Sequence, residues 1–176
     1  MKASWANGMV LAFAAVLAIT MHAARLTAAE MTEAEIKALT HGTFVLESWD
    51  LDGQPVRPPA ADGRLSLHNN VVMLMARSQS GDKLHAVYGF GRYQLTGATW
   101  SYEYLNSTEL KATGSRAEAG YELPWRGMRK FKLRTEAGKV IGENHDGAHH
   151  QIIFEPAGLA YLEDGRLVRN WKRVPD

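Results

Sequence analysis

Beyond Gly42 the chain is written in period two. Short runs of alternating apolar and polar residues end in turn-forming pairs, and alternate residues of a strand share a face, so each run reads as a strand. Residues 43–51 (TFVLESWDL) stop at Asp52-Gly53, a strong hairpin signal. Pro55, Pro58 and Pro59 make the next connection irregular, because proline removes a ladder donor. Residues 63–68, the turn Asn69-Asn70 and residues 71–76 form a strand pair, and residues 77–83 read as an exposed loop. Residues 84–95 form a long strand interrupted by Gly89 and Gly91, which turns at residues 96–98 into residues 99–106. Residues 107–126 read as a long loop. Five more strands follow over residues 128–134, 139–144, 149–155, 159–162 and 166–174, joined by short turns that include Asp146-Gly147 and Asp164-Gly165.

Ahead of the strands, Thr32 and Glu35 have capping-box spacing, and Ile36 and Leu39 share one face, which predicts a short helix ended by His41-Gly42. Helix and strands together predict an all-β fold, an antiparallel up-and-down β-barrel of roughly 8–10 strands with a short N-terminal helix. Tight turns between neighbours favour a meander, and a meander of this length loses its open edges by closing. A two-sheet sandwich is the alternative.

The first residues are not patterned as fold. Lys2, the uncharged apolar run of residues 9–20 and the small residues that follow, up to Ala29, have the parts of a secretory signal peptide. The apolar run is shorter than the roughly 20 residues that cross a bilayer as a helix. The expected organisation is a signal peptide over residues 1–29, with Ala23 or Ala24 as alternative cleavage sites, and one domain over residues 30–176. No integral membrane segment would then remain after cleavage. The protein would be exported, to the periplasm or beyond the cell.

Removing Lys2 and Arg25 from the 20 basic residues leaves 18 against 19 acidic ones, so the remaining domain is near neutral. A near-neutral domain has no electrostatic footprint for nucleic acid. The absence of cysteine rules out disulfides, a thiol nucleophile and a cysteine metal site. No hydrolase elbow, zinc-protease helix, phosphate loop or dinucleotide fingerprint occurs, and no cofactor is expected.

Candidate chemistry therefore rests on the strands. Trp100, Tyr102 and Tyr104 alternate and share one face, and Tyr88 and Phe90 could form a matching stripe on the preceding strand. Phe131, Ile152, Phe154, Tyr161 and Trp171 are further inward candidates. Such a wall suits a small, mostly apolar ligand anchored by a hydrogen bond or two, and it equally suits a plain core. A two-residue hairpin at Asp146-Gly147 would put Glu143, His145 and His150 on one face, a weak candidate for a transition metal, with His149 pointing away. His68, His85 and Glu103 are the positions where acid–base chemistry would be sought. Lys130, Lys132 and Arg134 share a face that reads as solvated.

Gly42-Thr43-Phe44 resembles the Gly-x-Trp entry motif of lipocalins. Residues 56–65, the strand Tyr88-Gly89-Phe90-Gly91-Arg92-Tyr93 and the ending Trp171-Lys172-Arg173 are similar to those of bacterial lipocalin-like domains, a calycin-type barrel. The resemblance covers about residues 42–174. It implies a binding protein for a small hydrophobic ligand, with Gly42, Phe44, Trp171 and Arg173 in structural roles. It also implies that an arginine, Arg173 or Arg169, packs over the entry aromatic, here Phe44 in place of tryptophan. Some barrels of this type are isomerases or hydratases of apolar substrates. A solid-cored envelope or interaction protein, with an apolar patch around Trp125, is the remaining alternative.

Overall fold

The computed structural model describes residues 31–120 and 127–175. The expected signal peptide and Trp125 lie outside the described residues. A helix α1 (Glu33–Thr40) precedes twelve strands: β1 (Gly42–Leu51), β2 (Gln54–Val56), β3 (Ala61–His68), β4 (Val71–Ser80), β5 (Lys83–Thr96), β6 (Thr99–Thr113), β7 (Arg116–Gly120), β8 (Arg129–Glu136), β9 (Lys139–Asn144), β10 (His150–Glu155), β11 (Gly158–Glu163) and β12 (Arg166–Arg173). All pairings are antiparallel, and β12 pairs with β1, which closes ten strands into a barrel. The short β2 and β7 lie off the ring, on β1 and β6. A closed barrel, rather than a sandwich, is therefore the fold.

Local chemistry sets the helix. Thr32 Oγ1 accepts from the Glu35 amide, while the Glu35 carboxylate accepts from the Thr32 amide at 2.7 Å. Met31, Ile36 and Leu39 pack against the core, and α1 lies near β9 and β10, so the helix covers one end, the floor. Arg173 fastens it there, donating to the carbonyls of Leu39 and His41 at 2.5 Å each.

The lower half of the barrel is solid. Phe44, Leu67, Val72, Trp100, Phe131, Val140, Phe154, Leu159 and Trp171 are all buried. Trp100 touches Tyr102, Phe131 and Phe154 with ring centroids 5.2–5.7 Å apart. Burying so many aromatic rings provides the core that a cysteine-free domain needs.

Three expectations are corrected. Residues 107–120 are not a loop: β5 and β6 pair along almost their full length, from Thr96–Thr99 to Lys83–Thr113, and β7 turns back on the end of β6. Residues 77–80 belong to β4, because its ladder with β5 runs to Ser80–Lys83. The hairpin after β9 does not turn in two residues. Asn144 pairs with His150, leaving residues 145–149 as the connection, and the Asn144 side chain bonds Asp146 through both its amide nitrogen and oxygen.

Candidate functional site

Toward the mouth, opposite the floor, the inward face changes character. Trp49 of β1, Tyr104 of β6, Tyr161 of β11 and Arg169 of β12 meet there with His85 of β5 and Glu109 of β6. Register places Trp49 and Tyr161 on either side of Arg169. The Arg169 guanidinium lies over the Trp49 indole, 4.2 Å from its centroid, and His85 lies 4.6 Å from the same ring. A bulge between Leu46 and Ser48 shifts the phase of β1 and carries Trp49 inward. Tyr104 stands against Gly89, where an added Cβ would come within 2.7 Å of the ring. Glycine there makes room for the tyrosine.

Trp49 is fully buried, but the polar residues around it keep solvent contact. Tyr104, Tyr161 and Arg169 are half-buried, and the His85 and Glu109 side chains keep 20% and 36% of their surface. Deeper, Arg129 and His150 are buried; Arg129 bonds the hydroxyls of Tyr102 and Tyr161, and Tyr161 Oη lies 2.7 Å from His150 Nδ1.

Electrostatics in the chamber follow from burial. Desolvation pushes the phenols of Tyr102, Tyr104 and Tyr161 upward, so all three are neutral at pH 7. Desolvation lowers the pKa of His85 despite its 2.6 Å contact with Glu109, and lowers that of His150, helped by Arg129. Both imidazoles are neutral at pH 7. Burial alone would raise Glu109, but the bonds from His85 and Lys111 outweigh it and hold its carboxyl below the usual range.

Other predicted residues are distributed differently. Tyr88 and Phe90 do not line the interior: they are 45% and 46% exposed, opposite Met75 and Met73 on the outer wall. The ladder slips between Phe90 and Gly91, where Leu105 is extra on β6, and the glycines take the inward phase. Tyr93, which the alternation then turns inward, is buried near Trp100. Trp100, Tyr102 and Phe131 share the inner face but are packed as core below the chamber. Gly42, Phe44, Trp171 and Arg173 meet at the floor, where the Arg173 guanidinium sits 4.7 Å from the Phe44 centroid. Of the acid–base positions, only His85 reaches the chamber. Glu103 is ion-paired with Arg92 outside, and His68 bonds Thr43 Oγ1 near the floor.

The five-residue connection also rearranges the histidines. His150 turns into the barrel, and Glu143, His145 and His149 come together instead, their ligand atoms within 4.8 Å of one another. Glu143 and His145 border an open groove of about 530 Å³ on the outer wall, lined also by Lys130 and Lys132. Two imidazoles and a carboxylate are a zinc-type donor set. The His145 and His149 rings, however, lie parallel at 4.5 Å, so one must turn before both can face one metal.

Arg173, not Arg169, packs over Phe44; Arg169 lies over Trp49 instead, and Trp49, Arg129, Glu109 and His149 were not singled out as interior or metal-binding residues from the pattern. The available signal was an arginine in the same inward phase as Trp171 and Arg173. Comparison with protein-family models, with curated proteins and with solved structures found no match in any of the three. What the fold and site define is a closed ten-stranded antiparallel barrel of calycin-like architecture, with an aromatic core and a polar chamber at its mouth.

Proposed function

We propose that the chain is an exported lipocalin-like binding protein that holds a small, mostly apolar molecule in the chamber between Trp49, Tyr104, Tyr161 and Arg169. The observation that carries this reading is the contrast between a sealed lower half and inward side chains above it that keep solvent contact. Flat aromatic faces with polar tips suit such a ligand, and each buried Å² of apolar surface contributes roughly 25 cal/mol. Export is supported by the leader pattern of residues 1–29; the lipocalin likeness is supported by the Phe44–Arg173 stack at the barrel floor.

Native mass spectrometry of freshly purified protein, with solvent extraction, tests the reading. A small-molecule mass carried by the folded protein and lost on unfolding is expected. No co-purified or titratable ligand across repeated preparations would contradict it.

The His85–Glu109 pair favours a second reading, an isomerase or hydratase acting on an apolar substrate, because a neutral imidazole beside a carboxylate can move protons. In that case the extracted compound should change chemically on incubation with the wild type but not with His85→Gln. An unchanged compound excludes catalysis on that molecule.

A further inference from the structure

We infer that the molecule held in the chamber carries an anionic group, a carboxylate or a phosphate-type oxyanion, seated on Arg169. This rests on the ligand-binding reading above and adds the chemistry that selects the ligand.

Arg169 has five N–H donors and makes no hydrogen bond or ion pair with any described residue; its buried Nε has no partner at all. The indole of Trp49 covers one face of the guanidinium, which leaves its edge for other partners. Arginine keeps its proton at neutral pH, and interior arginines are normally paired, because an uncompensated charge away from water is costly. The neighbours cannot compensate it. Tyr102, Tyr104 and Tyr161 are its nearest electrostatic partners and are neutral, with burial holding their protons on. Glu109 is the one acid among them, and its carboxylate is occupied by His85 at 2.6 Å and Lys111 at 3.2 Å.

Arg129 approaches from β8, held by the hydroxyls of Tyr102 and Tyr161. His85 and His150 add no charge at pH 7. An entering anion meets the Arg169 edge without displacing the carboxylate of any described residue from it. An Arg fork takes a carboxylate or phosphate oxygen pair bidentately, while the half-buried phenols of Tyr104 and Tyr161 flank the ligand's apolar part. A neutral ligand would leave the charge uncompensated.

Calorimetric titration at about pH 7.5, where a carboxylate is ionised, separates the possibilities. The probes share one apolar body: 4-phenylbutyrate, 3-phenylpropyl phosphate and 4-phenylbutanol. At least one anion should bind about tenfold or more tightly than the alcohol. Arg169→Gln should remove that preference, so that anions and alcohol bind alike, and Arg169→Lys should retain part of it. The better of the two anions identifies the headgroup. The wild-type comparison stands even if a variant fails to fold. An alcohol that binds as tightly as both anions overturns the inference and leaves the chamber reading intact. Failure of all three probes counts against the chamber itself.

Discussion

Gly42 has a φ of 134°, and a Cβ there would collide with the Arg173 guanidinium. Both the backbone and the close approach therefore call for glycine. Gly42→Ala should cost about 1–3 kcal/mol in urea unfolding, and lifting Arg173 off Phe44 is the expected structural response. The departure from tryptophan at this position has its own consequence. Phe44 has no solvent contact, so Phe44→Trp must find room for a larger ring in a filled layer. It should lower stability by about 1–3 kcal/mol despite a stronger cation–π partner. A rise in unfolding midpoint would mean that the floor is looser than its burial implies.

Among the elements, β5 and β6 carry the largest difference between pattern and fold. Hairpin turns are local, so Asp52-Gly53, Asn69-Asn70 and Asp164-Gly165 could be read directly, each with a residue at positive φ. The bulge at Phe90–Gly91 could not, because one extra residue in the partner strand decides which face a whole segment presents. That is why Tyr88 and Phe90 were expected inside. Their outward position predicts that a Tyr88→Ser, Phe90→Ser double variant changes ligand affinity less than twofold and stability by only about 1 kcal/mol or less, measured by titration and urea unfolding. The closing pair β1–β12 joins chain ends that no local signal relates, so the ring of ten followed from the meander but its partner register did not. Arg169 was legible as an inward-phase residue, but what faced it across the barrel was not.

For the molecule as a whole, the two neutral histidines make stability depend on pH. In the folded state His85 and His150 have pKa values below the ordinary histidine value, so near and below pH about 6.5 the unfolded chain binds more protons than the folded one. Stability should therefore be full above that value and fall as the pH drops from about 7 to 5; His85→Gln should flatten the slope if the residue folds neutral. Glu109, with its lowered pKa, adds a separate loss only at still lower pH, through the carboxylate range. Urea midpoints measured across this window would expose either component. A midpoint that is flat between pH 5 and 7 would mean that both imidazoles are solvated.

The same burial that keeps the histidines neutral leaves Arg169, above the Trp100 layer, as the charge without a described partner. A crystal structure of residues 30–176 carrying its co-purified or best-titrating ligand tests this most directly. The account predicts density for a small molecule between Trp49, Tyr104 and Tyr161, with oxygen atoms bonded to the Arg169 guanidinium. A chamber filled by the protein's own side chains, with Arg169 paired to a protein carboxylate, would contradict it.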